Sequence, residues 1–183
     1  MNPPLQTPFP RSYWVIPGKF LAGCYPGSED GQVATKKLTG LLDHDIRTVI
    51  NLMEPNELNW SGKAFNGYEE KMACIASSKG YGVEFERMPI RDTWIPLRIE
   101  MIQILDRIDV SIDDGKPVYI HCWGGRGRTG TVVGCYLVRH GLVSTRNILQ
   151  YIGGLRKNTE DAYLPSPETA QQMDMVLSWV EAE

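Results

Sequence analysis

The chain has 183 residues, a formal net charge of −3 and a pI near 5.7. Hydrophobic residue types make up 42% of it, which is ordinary globular composition and enough for one buried core. The small net charge does not favour a nucleic-acid-binding protein, so an anionic substrate needs a local positive site. No apolar stretch approaches the length of a membrane span, and we expect no signal peptide, because the N-terminus lacks a charged start and an apolar run.

Segments with strand and helix patterns alternate along the chain. Residues 1–12 hold four of the twelve prolines and are predicted to form an N-terminal arm, followed by one domain over 13–183. Runs of β-branched and aromatic residues predict strands at 13–16, 19–22, 48–52, 83–90 and 117–121. Helical patterns lie at 27–44, 68–79, 96–108, 130–140, 144–155 and 167–180. This alternation predicts an α/β fold, in which a central, mostly parallel twisted sheet is flanked by helices on both faces.

Two of the predicted helices have clear core-facing sides. On the first, the inner positions are predicted to be Val33, Leu38, Leu41 and Leu42. Pro96 suits a first helical turn, where its missing N–H costs nothing. The helix that it opens has an apolar stripe formed by Leu97, Met101, Ile104, Leu105 and Ile108.

The four cysteines show neither a paired framework nor the spacing of a metal site. We therefore expect reduced thiols in a cytoplasmic protein. We also expect a monomer that binds no metal and no cofactor. Three of the cysteines are interpreted as structural, namely Cys24, Cys74 and Cys135.

The segment HCWGGRGRTG, residues 121–130, carries the strongest functional signal. A cysteine and an arginine separated by five residues form a weak pattern alone, but here they lie between a predicted strand and a predicted helix. Glycines let the backbone curl around an oxyanion, so that successive N–H groups and the positive helix end meet at one point. The predicted phosphate-binding positions are Trp123, Gly124, Gly125, Arg126, Gly127 and Arg128.

Four side chains of this segment suit phosphoryl transfer. Cys122 would be a thiolate stabilised by the surrounding N–H groups, and it would attack phosphorus as a nucleophile. Arg128 offers a planar fork for two phosphoryl oxygens, and Thr129 can donate a hydrogen bond to the sulfur. His121 could orient the loop, although it could equally be a packed histidine. A cysteine between a strand and a helix is often a small core residue, but the glycines and arginine favour the nucleophile.

Cleavage of a phosphate ester also needs a proton for the leaving oxygen. Asp92 follows the predicted strand 83–90, and the loops after the strands of an α/β sheet gather where ligands bind. Asp113 and Asp114 precede the strand that leads to Cys122, so they belong at the opposite end of the sheet. Asp92 is therefore the candidate acid, with a capping or turn aspartate as the alternative.

These residues resemble a known family. The motif agrees with the HC-x5-R-[ST] signature of protein tyrosine and dual-specificity phosphatases at Cys122, Arg128 and Thr129. From about residue 14 onward, the chain is similar to the small atypical dual-specificity phosphatases of the VHZ type. The similar segments are WVIPGKFLAG at 14–23, the spacing of thirty positions from Asp92 to Cys122, and PSPET at 165–169 followed by Gln172.

The resemblance implies a phosphatase domain over 13–183 and metal-free hydrolysis of phosphomonoesters. It also implies that Asp92 is the general acid and later the base that activates water. Glu168 and Gln172 become supporting residues that position a loop or the water. Residues 55–82 and 157–164 look longer than in the smallest members, and both segments bear on substrate choice.

Three functions follow. The first is a phosphatase acting on phosphotyrosine, and on phosphoserine or phosphothreonine, in proteins or peptides. The alternative is a phosphoinositide, inositol phosphate or RNA 5′-phosphate phosphatase, because Arg126 adds a second cation beside the loop. The third is a phosphate-binding module without turnover, against which Cys122, Arg128, Thr129 and Asp92 together argue.

Overall fold

The computed structural model describes residues 6–182. Five strands and six helices lie in this part of the chain. The strands are β1 (Ser12–Ile16), β2 (Phe20–Gly23), β3 (Thr48–Asn51), β4 (Glu84–Arg87) and β5 (Val118–His121). The helices are α1 (Gly31–Asp43), α2 (Glu69–Ser78), α3 (Arg98–Asp113), α4 (Gly127–Arg139), α5 (Ile148–Leu155) and α6 (Ala170–Leu177).

The strands form one mixed sheet in the order β1-β2-β5-β3-β4. β1 and β2 are an antiparallel hairpin, while β2, β5, β3 and β4 run parallel. The last residues of the four parallel strands pair in one row, Gly23 with His121, His121 with Asn51, and Asn51 with Arg87. The loops that leave these strands therefore start side by side at one edge of the sheet.

Helices cover both faces of the sheet, which confirms the predicted α/β fold. The larger core lies under α3, α4, α5 and α6, and the smaller one under α1 and α2. Alternation along β5 serves both cores, because Val118 and Ile120 face the larger one while Tyr119 faces the smaller. Every residue of α4 from Gly127 to Val138 is buried, so this helix is held on all sides.

Element boundaries differ from the predicted ones at several helix ends. Val33, predicted to face the core, is 44% exposed, because Asp30 caps α1 and leaves Val33 in the first turn; Ala34 is buried instead. Leu97 is 68% exposed, because it precedes the first turn of α3. The other predicted inner residues of these two helices are buried.

All three helices that follow β5 begin elsewhere than predicted, and α6 begins at Ala170 rather than at 167. α4 begins at residue 127 rather than 130, so the first helical turn already contains Arg128 and Thr129. α5 begins at Ile148 rather than at 144. Glycines disfavour helix on local grounds, and the burial of α4 among the sheet and its neighbouring helices offsets that cost.

The predicted arm lies partly outside the described residues, since positions 1–5 are not among them. In the remainder, Phe9 is buried in the smaller core, and the carbonyl of Gln6 accepts a hydrogen bond from the Trp14 indole at 3.0 Å. The division between an arm and a domain at residue 13 stays a prediction. Within residues 6–182, no helix is long and apolar enough to cross a lipid bilayer.

Candidate active site

Cys122 follows β5 directly and lies at the edge of the sheet where the parallel strands end. Its side chain is buried, and the N–H of Gly125 donates to Sγ at 3.3 Å. Gly125 has a φ of +73°, and a Cβ there would lie 2.4 Å from the carbonyl carbon of Gly23. Only glycine suits this position, because the loop passes against the end of β2 with a left-handed backbone. The start of α4 then adds its positive end to the loop.

Arg128 is almost completely buried and is held by an acid that the sequence did not single out. Its two terminal nitrogens donate to the carboxylate of Glu57 at 2.6 and 2.8 Å, and Nη1 also donates to the carbonyl of Ile90 at 3.1 Å. Burial disfavours the charged guanidinium, but the hydrogen bonds to Glu57 and the charges of Cys122 and Asp92 outweigh it and raise the pKa of Arg128. The arginine is therefore a fixed cation at the loop.

Part of the Arg128 fork is left for a ligand. Its Nε is buried and has no hydrogen-bond partner among the described residues. The neighbouring Nη2 shares its donors between Glu57 and the Asp92 carboxylate, which lies 2.9 Å away. Nε and the Nη2 N–H that is turned toward Asp92 lie side by side on a guanidinium, so they can bind two oxygens of one phosphoryl group once the Asp92 carboxylate moves off Nη2.

Asp92 lies on the loop between β4 and α3, and the structure brings it to the cysteine loop. Its side chain is half exposed and lines one cavity of about 510 Å³ together with Cys122 and Arg128. The beginning of α6 holds this loop, because Gln172 donates to the carbonyl of Trp94 at 3.1 Å. Gln172 is completely buried, and its predicted role in positioning a loop stays a prediction.

His121 is buried and connects the cysteine loop to α2. Its Nδ1 lies 3.1 Å from the carbonyl oxygen of Cys122, and its Nε2 lies 2.6 Å from the hydroxyl of Tyr68. A carbonyl oxygen only accepts, so Nδ1 carries the proton and Nε2 accepts from the tyrosine. Burial lowers the pKa of His121 from 6.5 to about 3, with Arg87 and Arg128 adding to the effect against the hydrogen bond to Cys122. His121 is thus a neutral side chain that links the cysteine loop to Tyr68, and its role in catalysis stays a prediction.

Thr129 lies in the first turn of α4, next to Arg128. Its hydroxyl is buried and has no hydrogen-bond partner in the part of the chain that is described. The hydrogen bond to the sulfur that the motif predicts is therefore not formed here. The contribution of Thr129 to departure of the sulfur stays a prediction.

Arg126 was predicted to add a second cation beside the phosphate. Its guanidinium forms an ion pair with the carboxylate of Glu168, and its backbone carbonyl accepts from the Ser166 hydroxyl at 2.8 Å. Both charged side chains line the cavity. The charge of Arg126 is thus compensated within the protein, in contrast with the free cation that the sequence suggested.

Aromatic side chains surround the entrance to the cavity. Trp123 packs edge-on against Trp60 and Phe65, with ring centroids 4.9 and 5.3 Å apart. Trp60 is 94% exposed, and Tyr163, from the segment 157–164, is 83% exposed. Trp60, Trp123 and Tyr163, which we call the aromatic rim, all line the cavity. The two segments that looked longer than in the smallest relatives therefore supply two of the three rim residues, and the cysteine loop supplies Trp123.

Sequence reasoning missed two residues of the site, Glu57 and Arg11. Glu57 lies in a polar loop with no periodic pattern, and only the fold shows that it is buried against Arg128. Arg11 lies in the proline-rich segment and donates to the carbonyl of Gly124 at 2.9 Å. A single acid or base in an irregular segment gives no local signal of such a contact.

The sequence and the fold are similar to those of known phosphatases. Residues 27–142, more than half of the chain, match the family model Tc-R-P, described as "Polymorphic toxin system, DSP-PTPase phosphatase". The crystal structure of Tk-PTP in the active form is 27% identical, with a TM-score of 0.66, and the match covers 92% of this chain and 95% of that one.

Two curated relatives show how wide the substrate range of similar proteins is. Phosphatidylglycerophosphate phosphatase PTPMT2 of Arabidopsis thaliana is 28% identical over 109 residues, covering 59% of this chain and 42% of the relative. Dual specificity protein phosphatase CDC14B of Mus musculus is 28% identical over 134 residues, covering 69% and 24%. The chain therefore spans less than half the length of these two relatives. It belongs to the DSP-PTPase phosphatase family of the matched model, within the protein tyrosine and dual-specificity phosphatase superfamily.

Proposed function

We propose that the chain hydrolyses phosphomonoesters through a cysteinyl-phosphate intermediate, with Cys122 as nucleophile, Arg128 as phosphate clamp and Asp92 as proton donor. The observation that carries this proposal is the convergence of these three groups on one cavity, with a loop N–H on the sulfur and the Asp92 carboxylate on the arginine. The family membership supports the same chemistry.

Each step can be assigned to a group of this chain. The Cys122 thiolate attacks phosphorus in line, and the bond from phosphorus to the ester oxygen breaks. Asp92 donates its proton to that oxygen, and Arg128 holds two oxygens of the phosphoryl group as charge develops. A water then attacks the phosphorus, Asp92 takes its proton, and the bond from sulfur to phosphorus breaks to return the thiolate.

For the substrate, we propose phosphotyrosine in proteins or peptides. The aromatic rim supports this choice, because Trp60, Trp123 and Tyr163 offer ring faces and edges beside the cavity for an aryl leaving group. The pairing of Arg126 with Glu168 argues against substrates with several phosphates, since no uncompensated second cation is offered there.

A lipid phosphomonoester is the second candidate. The relative named a phosphatidylglycerophosphate phosphatase favours it, and exposed aromatic residues also suit the interface of a bilayer. On this view the aromatic rim would contact lipid rather than the ring of a phosphotyrosine.

One substrate panel tests both candidates. It compares an aryl phosphate, phosphotyrosine and phosphoserine peptides, and phosphatidylglycerophosphate in vesicles, each in the presence of a metal chelator. We expect turnover of the aryl phosphate and the phosphotyrosine peptide, and a loss of roughly 10⁴-fold or more in Cys122→Ser, which should still bind the peptide. Preferred turnover of the vesicle substrate would select the lipid candidate. An active Cys122→Ser variant would refute the mechanism.

The leaving group tests Asp92. For Asp92→Ala, we expect kcat to fall by about 10²-fold or more with an alkyl phosphate and much less with an activated aryl phosphate. The reason is that an oxygen of low basicity leaves without a proton. An equal loss with both substrates would show that Asp92 is not the acid.

A further inference from the structure

One peptide group of the cysteine loop is held from both sides. The peptide that joins Gly124 to Gly125 directs its N–H at the sulfur of Cys122, at 3.3 Å. Its carbonyl oxygen accepts a hydrogen bond from Nη2 of Arg11, at 2.9 Å. The C=O and N–H of a trans peptide point in opposite directions, so the two contacts define one orientation of the peptide plane.

This orientation needs support from outside the loop. Both residues of the peptide are glycines, and glycine leaves the flanking dihedrals unusually free. A rotation of the peptide by about half a turn would direct the partly negative carbonyl oxygen of Gly124 toward the sulfur. A thiolate would then lose a donor and face a repulsive dipole, which raises the free energy of the charged form.

Arg11 is itself fixed in place. Its carbonyl accepts from the backbone N–H of Cys24 at 3.0 Å, and its guanidinium pairs with Asp161 at 3.2 Å. Asp161 also pairs with Arg156, which is almost completely buried, at 2.9 Å. Burial alone would raise the pKa of Asp161, but Arg156 and Arg11 lower it, so the carboxylate is charged and holds Arg11.

We propose that Arg11 is a positioning residue that holds the Gly124–Gly125 peptide with its N–H on the Cys122 sulfur. The inference rests on the proposed role of Cys122 as a thiolate nucleophile. Arg11 polarises the peptide as well as orienting it, because a cation on the carbonyl strengthens the N–H as a donor. Asp161, from the segment 157–164, acts indirectly, because its carboxylate holds the guanidinium of Arg11.

The test measures the thiolate directly and does not depend on turnover. The rate of alkylation of Cys122 by iodoacetamide is followed by mass spectrometry of its peptide at about pH 6 and about pH 9. In Arg11→Ala, we expect the rate at the lower pH to fall by about 10-fold, while the rate at the higher pH changes little. Arg11→Lys should recover part of the alkylation rate at the lower pH. Asp161→Asn should lower this rate less than Arg11→Ala does. Arg146→Ala, which removes an exposed arginine, is the matched control.

Steady-state kinetics separate positioning from substrate binding, because Arg11 also lines the cavity. A positioning role predicts that kcat for an aryl phosphate falls by about 10-fold with little change in KM. A rise in KM with unchanged kcat and unchanged alkylation would overturn the proposal. Circular dichroism confirms that each variant is folded. If the wild-type protein had no phosphatase activity but Arg11→Ala still slowed alkylation at low pH, the proposed function would fail and the inference would stand.

Discussion

The base of the cavity and its entrance obey different physical constraints. At the base, Cys122, His121 and Arg128 are buried, and the two polar side chains have specific partners in Tyr68 and Glu57. At the entrance, the aromatic rim includes side chains that are 83% and 94% exposed. A buried charge must be paired to be tolerated, whereas an exposed ring can be exchanged at small cost. Under the proposed function, the base would determine the chemistry, and the rim could vary with the substrate.

Removal of Glu57 should have the largest effect. Glu57→Ala leaves the buried guanidinium of Arg128 without its two-pronged partner, so the free energy of unfolding should fall by about 3–5 kcal/mol. Because the arginine can then shift toward Asp92, kcat/KM for an aryl phosphate should fall by about 10²-fold. Urea unfolding and steady-state kinetics measure the two effects.

Glu54→Ala is the matched control for this change. Its side chain is exposed on the same loop. Its loss should change kcat/KM by no more than about twofold and the free energy of unfolding by no more than about 0.5 kcal/mol. If Glu57→Ala behaved like this control, the base of the cavity would not depend on its buried ion pair.

The burial of neutral His121 should have a smaller effect on the free energy of unfolding, and this effect appears only as the pH is lowered. Its pKa is about 3 in the folded chain and 6.5 as the ordinary value, so between these values the unfolded chain binds a proton that the folded chain does not. The free energy of unfolding therefore falls as the pH drops below about 6.5, by roughly 1 kcal/mol per pH unit.

His121→Asn removes this contribution while an amide N–H can still reach the Cys122 carbonyl. The loss of stability between about pH 7 and about pH 5 should shrink by about 2 kcal/mol relative to the wild type, as measured by urea unfolding. His44→Asn, at a partly buried histidine outside the site, controls for the replacement itself. An unchanged slope in His121→Asn would mean that this histidine is not held neutral.

The rim should give the smallest effect and the most selective one. Trp60→Ala removes a ring that packs on Trp123, and we expect kcat/KM for a phosphotyrosine peptide to fall by about 5-fold. A small alkyl phosphate should be affected little. Leu58→Ala, also exposed on this loop, is the control. Equal losses with both substrates would contradict a role of the rim in substrate choice.

Sequence patterns predicted the fold and the cysteine loop because both depend on local signals. Alternating apolar periods indicated the strands and helices, and glycines around Cys122 and Arg128 indicated an anion loop. Asp92 could be identified from its position in the loop after a predicted strand. The roles assigned to these residues remain proposals, but the structure does bring them to one cavity.

The partners of these residues could not be predicted in the same way. Glu57 and Arg11 act through contacts across 71 and 113 positions of sequence, and neither lies in a periodic segment. The pairing of Arg126 with Glu168 likewise depends on where α6 packs. A charge in the sequence shows its sign, but only the fold shows whether another side chain already compensates it.

The burial of α4 has a consequence for hydrogen exchange. Its amides beyond the first turn are enclosed and hydrogen-bonded within the helix, so they should exchange only when the whole domain unfolds. The loop over 54–67 is mostly exposed and should exchange much sooner. The ion pair between Arg128 and Glu57 therefore links α4, which should exchange slowly, to a loop that should exchange fast. The cavity lies between these two segments.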